Sequence, residues 1–368
     1  MDHYLQMYQP LYYVFIVGFS AFITFLAMPS IIHVAGKRHL YDDLGHFRKQ
    51  HDHGIPRLGG VAIFLSFTIT CLLFCATGKL LPLNYLLTAC IILFGMGLKD
   101  DLSGVGSGTK FLAQFVACGI LVIPGDIRLT SMYGIFGIYD LAYFPSVLLS
   151  VITIMMLINA FNLVDGIDGL AATTGVVANL LFAALFLYTR HYELAALSLA
   201  IVGALFGFLK FNITPARIFM GDTGSMLIGL ISAVMAVKFI EVNKAIEAAN
   251  MPQVNAAPAL GVAILIGPIF DTLRVFFLRI IKGLSPFTAD RNHLHHRMLR
   301  LGFNHLQTTV ILTFVNLTAI VVVLTFSEFG NSALLLAMAG VMLAFNWIIT
   351  FCIRSKERAH IALRNLFV

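Results

Sequence analysis

Charge is what this chain has least of. Only 11% of its 368 residues are Asp, Glu, Lys or Arg, against roughly 25% in a soluble globular domain, and that shortage excludes an ordinary water-soluble fold. Cysteine is sparse as well. The five, Cys71, Cys75, Cys90, Cys118 and Cys352, are odd in number and all lie in apolar stretches, which excludes a disulfide scaffold and leaves them as small buried hydrophobes. A contiguous basic block is also missing. The net charge is +6, but Lys and Arg occur in short segments between apolar runs, so nucleic acid is excluded as the partner that this charge serves. Met1 to Pro10 contains no Lys or Arg, and the apolar run from Leu11 is too long for a signal-peptide core and ends at Lys37 and Arg38. It reads as a retained helix.

What the chain has instead is hydrophobicity, 59% of residues with a mean hydropathy of +0.90, so its solvent is the lipid bilayer. A bilayer core takes about 20 apolar residues per helix. That ruler marks spans near 11–35, 58–78, 81–98, 109–125, 143–163, 169–189, 193–210, 223–240, 256–281, 307–327 and 332–352. The expected fold is an all-α polytopic membrane protein of about 11 transmembrane helices. Basic residues concentrate on the cytoplasmic side of membrane proteins. With the N-terminus outside and the C-terminus cytoplasmic, only Lys79, Arg128, Arg190, Lys238 and Lys244 of the 24 fall on the outer side. No linker or internal repeat divides the chain, so residues 1–368 read as one domain with inner loops at 36–57, 99–108, 162–168, 210–222 and 282–306. The basic runs at 36–57 and 353–364 suit anionic headgroups or ordinary topology signals equally.

Every cluster of unusual polar residues falls on that inner side, although the topology rests on Lys and Arg alone. Asp100 and Asp101 close an apolar helix at its C-terminal, negative end, where a carboxylate pair needs a compensating cation. They read as a Mg²⁺ site, as a group facing an acidic substrate, or as a solvated helix end. In NLVDGIDGL, Asp165 and Asp168 are three apart, Asn162 lies three before Asp165, and Gly166 and Gly169 permit close approach of a ligand. Amide and carboxylate oxygens are the hard ligands that Mg²⁺ takes. Asp222, in FMGDTGS, reads either as the N-cap of the next helix or as a third ligand of a shared cation. In DRNHLHHR, Arg291, His293, His295, His296 and Arg297 form an anion clamp or a solvated basic loop. No cysteine is near, and the spacing matches no usual zinc pattern. His51 and His53 read as functional or as headgroup contacts.

Taken together, these segments resemble the polyprenyl-phosphate N-acetylhexosamine-1-phosphate transferase family. The resemblance covers nearly the whole chain and is carried by PRLGG (Pro56 to Gly60), the Asp100–Asp101 pair, NLVDGIDGL (Asn162 to Leu170), FMGDTGS (Phe219 to Ser225) and HLHHR (His293 to Arg297), in family order. It implies that Asn162 and Asp222 ligate Mg²⁺, with Mn²⁺ as a substitute, and that Asp100, with Asp101 beside it, faces the phosphate of undecaprenyl phosphate. It implies a uridine pocket at Gly166, Ile167, Asp168 and Phe219, support of the metal or diphosphate by Asp165, a loop of His293, His295, His296 and Arg297 around the diphosphate and sugar, and phosphate or substrate contacts from Lys110 and Arg291.

The branch that handles UDP-MurNAc-pentapeptide has a Pro-rich, triple-His, Glu-ended version of this loop. The present loop points instead to the branch that starts surface glycans such as O-antigen or teichoic acid, with a UDP-N-acetylhexosamine, most commonly UDP-GlcNAc, as donor. The implied place is the bacterial cytoplasmic membrane, with the active site on its cytoplasmic face. A transporter or flippase would place its polar groups near the midplane, whereas here they gather at one end. The helices leave oligomeric state open, a homodimer included.

Overall fold

The computed structural model describes residues 2–38, 40, 54–75, 81–246, 253–285 and 292–366. His51, His53 and Arg291 lie outside them. Among the described residues the chain is helical throughout: α1 (Asp2–Lys37), α2 (Gly59–Phe74), α3 (Leu83–Ser103), α4 (Ser107–Val122), α5 (Tyr143–Val164), α6 (Leu170–Tyr188), α7 (Tyr192–Asn212), α8 (Gly221–Ile246), α9 (Ala257–Ile264), α10 (Ile266–Ile281), α11 (Leu294–Leu301), α12 (His305–Thr325) and α13 (Gly330–Leu366). Seven of these are long and apolar enough to cross a membrane, or eight if the bent pair α9–α10 counts as one span. Helix or a helix pair occupies each apolar segment marked in the sequence, though α2 and α4 are short. The chain is a multi-pass helical membrane protein.

α7 and α8 are the most enclosed of the long helices. α8 packs against α2, α3, α5 and α6, and α7 against α1, α2 and α6. Without a hydrophobic drive between helices in lipid, close approach through small residues supplies the packing. At Gly60 a Cβ would lie 2.1 Å from the backbone nitrogen of Gly224, so the start of α2 meets the start of α8 with no side chain between them. The Gly60 N–H donates to Met220 O, the Gly59 N–H to Phe219 O and the Phe219 N–H to Pro56 O. PRLGG thereby forms a short backbone splint along the segment that leads into α8. Polar side chains within the bundle pair with one another, as lipid requires: Asn159 donates to Gln114 Oε1 at 2.7 Å, and Asn179 to Ser232 Oγ at 2.9 Å.

Two expectations are corrected. The segment 256–281 is not one straight span but two helices bent by 77°. Asn316 of α12 stabilises the break: its amide nitrogen reaches Ala263 O and Ile264 O, and its oxygen accepts from Gly267 N. Those are the backbone groups that a bend strands in a bilayer. The histidine segment is not all loop either. His293 precedes α11, and His295, His296 and Arg297 lie in the first turn of that short helix.

Candidate active site

The C-terminus of α3, the N-termini of α4 and α8, and the loop after α5 meet at one end of the bundle. Asp101 caps α8 from outside it. Its Oδ1 accepts from Asp222 N at 2.8 Å, and its Oδ2 from Thr223 N at 3.0 Å and Thr223 Oγ1 at 2.6 Å. A helix N-terminus offers unpaired N–H groups and positive potential to a carboxylate, so the acid of α3 welds its helix end to α8. The capping alternative for Asp222 is therefore not what the structure shows. The Asp222 carboxylate turns outward instead and takes Lys110 Nζ at 2.6 Å, while Asp100 takes the same nitrogen at 2.7 Å. Asp100 also accepts from Val105 N at 2.7 Å, closing the turn into α4.

A cleft of about 450 Å³ opens beside this ion pair, lined by Lys110, Asn162, Asp165 and Gly166 together with Phe276, Arg279, His293, His295 and His296. Asn162 donates its amide to Ser225 Oγ at 3.0 Å, one turn past Asp222, which leaves its carbonyl oxygen as a ligand atom. Carboxylate oxygens of Asp100, Asp101 and Asp222 lie within 4.8 Å of one another. An all-oxygen, acidic donor set beside an open cleft fits a hard divalent cation that keeps some of its water. Asp101 contributes least, because both its oxygens are committed to α8.

The loop after α5 is held by its neighbours. Burial first, then the carboxylates of Asp222 and Asp101, push Asp165 up to about 7, against the pull of Arg57 and the Gly221 N–H. Burial also acts to raise Asp168. It is overcome by His305, whose Nδ1 lies 3.2 Å from Asp168 Oδ1, and by hydrogen bonds from Ala216 and Thr214, so that carboxyl sits below its usual range. Asn212 ties the two halves of this region together, accepting from Gly169 N and donating to Ile218 O, both at 2.9 Å. The 166–168 loop and the 216–219 segment are thus adjacent, and Phe219 in the latter is partly exposed. The Ile167 side chain is buried in the core and can serve a ligand only through its backbone.

His293 and His295 lie as parallel rings 5.8 Å apart, and His295 and His296 are 4.3 Å apart. Burial, and then the neighbouring His296, lower His295 to about 3, so it is a neutral ring at physiological pH. Its Nε2 is buried without a hydrogen-bond partner among the described residues and stands over Gly166, where a Cβ would come within 2.2 Å of it. Arg297 is placed differently from what the resemblance implies. Its guanidinium donates to Asn346 Oδ1 and, at 2.6 Å, to Thr350 Oγ1, fastening α11 to α13, and it does not line the cleft.

Residues 83–240, from the start of α3 to the C-terminal part of α8, match the family described as glycosyl transferase family 4. Over 286 residues the chain is 34% identical to a decaprenyl-phosphate N-acetylglucosaminephosphotransferase of Mycobacterium tuberculosis, covering 72% of this chain and 70% of that one. This chain belongs to that family. It is also 31% identical over 324 residues to the decaprenyl-phosphate enzyme of Mycobacterium leprae, with 82% and 81% covered. To the undecaprenyl-phosphate alpha-N-acetylglucosaminyl 1-phosphate transferase of Escherichia coli it is 28% identical over 320 residues, with 85% and 83% covered. The family match contains Asp100, Asp101, Lys110, the 162–168 loop and Asp222, whereas the histidines lie C-terminal to it.

Asp271 and His305 fall outside the clusters singled out from the sequence, and Asn212, within the 210–222 segment, is given no role there. Asp271 carried a usable signal, because a carboxylate inside an apolar helix is a functional hypothesis by default. Nothing in the pattern around Asn212 or His305 connects either of them to the 166–169 loop.

Proposed function

We propose that this chain transfers N-acetylglucosamine-1-phosphate from UDP-GlcNAc to a polyprenyl phosphate, releasing UMP. The observation that carries the reading is the ion pair of Lys110 with Asp100 and Asp222 at the edge of a cleft that Lys110 and Asn162 line together with three histidines. The carboxylates, lysine and amide suit a cation and a phosphate, and the histidines suit the oxygens of a diphosphate. The names of the relatives support N-acetylglucosamine as the sugar and a polyprenyl phosphate as the acceptor.

Asp222 and Asn162 would hold Mg²⁺, or Mn²⁺ in its place, and the ion would neutralise charge on the diphosphate as it builds. Lys110 holds Asp100 and Asp222 in register and presents its ammonium to the incoming phosphate. A lipid phosphate oxygen attacks the β-phosphorus, the new P–O bond forms, and the bond to the UMP oxygen breaks with its electron pair leaving on UMP. The acceptor is already ionised, so no protein nucleophile is required. What remains for these residues is positioning and electrostatic stabilisation. Asp168 and Phe219 serve the uridine.

We place eleven crossings in the bilayer of a bacterial inner membrane, with the N-terminus outside and the cleft on the cytoplasmic face, as the distribution of Lys and Arg supports. The reaction is then the first membrane step of a surface glycan. The test is UMP release by purified protein across a panel of UDP-N-acetylhexosamines, with and without Mg²⁺ and undecaprenyl phosphate. Release that needs all three components and is fastest with UDP-GlcNAc is expected. No release with any donor would remove the reading.

A further inference from the structure

We propose that Asp271 of α10 is a positioning residue for the transfer, fixing His293 so that its Nε2 meets the diphosphate of the sugar nucleotide. The inference rests on the transferase reading above. Asp271 and His293 are each 4% exposed, and the carboxylate divides its two oxygens between two tasks. Oδ2 lies 3.0 Å from His293 Nδ1. Oδ1 accepts from the backbone N–H of Leu294 at 3.0 Å and from Arg274 Nη2 at 2.8 Å, and that same guanidinium nitrogen donates to Asn292 O. Three consecutive residues, Asn292 to Leu294, are therefore pinned from one buried acid, at the point where the chain enters α11.

A carboxylate only accepts, so Nδ1 of His293 carries its hydrogen toward Asp271. His293 also lines the cleft, and Nε2 is the ring atom left to face the substrate. The bend between α9 and α10, held by Asn316, brings Asp271 beneath the histidines. A buried acid costs stability unless it is paired, and among the described residues Asp271 pairs with Arg274 of α10 itself and with His293 and Leu294 at the entrance of α11. Partners that orient a functional histidine are as consequential as the histidine itself.

A double-mutant cycle distinguishes orientation from plain structural support. Asp271→Asn preserves shape but turns a donor toward Nδ1, and His293→Gln removes the ring. Expected is a loss of about 10- to 100-fold in kcat/KM for the UDP-sugar from Asp271→Asn in the wild-type chain, and about twofold or less in the His293→Gln chain. Because Asn leaves Arg274 without its carboxylate, the cycle is repeated with Arg274→Gln in all four chains, with thermal unfolding recorded for each. An equal loss from Asp271→Asn in both histidine backgrounds would overturn the proposal, since Asp271 would then act independently of His293. A wild-type chain that releases no UMP would instead overturn the transferase reading, so the two failures are distinguishable.

Discussion

The Lys110 ammonium lies 2.6 Å from Oδ2 of Asp222, on the carboxylate that also offers itself to a divalent cation. Under the proposed function, lysine and metal would share one anion. Lys110→Gln removes the internal cation from between Asp100 and Asp222, and the two acids then repel each other until an ion binds. Mg²⁺ titration of activity is expected to show half-saturation at about tenfold lower concentration, the effect of losing roughly 1.4 kcal/mol of competition, together with a fall in maximal rate. An unchanged Mg²⁺ requirement would mean that the lysine and the metal do not compete.

His305 and Asp168 form one unit, with Nδ1 3.2 Å from Oδ1, beside the loop proposed to serve the uridine. Asp168→Asn and His305→Ala are both expected to weaken UMP binding, by about 1–3 kcal/mol for a buried charged hydrogen bond, with a smaller effect on kcat. Calorimetry with UMP in the absence of lipid substrate reads this directly. Wild-type affinity in both variants would take the pair out of the pocket.

Gly166 leaves no room for a side chain beneath His295. Gly166→Ala drives a methyl group into the Nε2 position, and the imidazole must move. Since Gly166 sits in a loop at the cleft and is itself exposed, turnover is expected to drop by about 100-fold, in the range that a 1 Å misplacement costs, while the melting temperature stays close to that of the parent. A variant with full activity would show that His295 does not need its present place.

Arg297 separates stability from substrate binding. Its bonds run to Asn346 and Thr350 of α13, so Arg297→Ala is expected to lower thermal stability by about 1–3 kcal/mol and to leave UMP affinity within about twofold. Weakened UMP binding with unchanged melting would restore the arginine to the ligand.

Asp165 predicts a pH dependence in the metal-free protein. Its carboxyl is raised from 3.8 to about 7, so the folded state holds its proton more tightly than the unfolded chain does. The contribution to stability is complete below 3.8 and is lost as pH rises through about 7; ionising this half-buried acid beside Asp222 and Asp101 costs the fold. Asp165→Asn should flatten that slope in melts run without divalent cation between about pH 5 and about pH 8. A slope identical to that of the parent would assign it to other groups.

The membrane class, the helical segments and the one-sided gathering of acids were legible in the chain because lipid imposes a crude, local rule: enough apolar residues in a row, with polar groups at the ends. Asp100, Asp101, Asn162, Asp165 and Asp222 stand out in the sequence because charge near membrane depth is rare. What the sequence could not decide is which partner each of them takes. Asp101 spends itself on the backbone of α8, Asp222 turns to a lysine 112 residues away, and Arg297 faces α13. Each choice depends on how helix ends from distant parts of the chain are stacked, and that stacking is decided by close approaches such as Gly60 on Gly224. The kink that carries Asp271 beneath His293 was equally hidden. Its broken backbone is stabilised by Asn316 from another helix, and no run of hydropathy along α9 and α10 can report a hydrogen bond supplied from elsewhere.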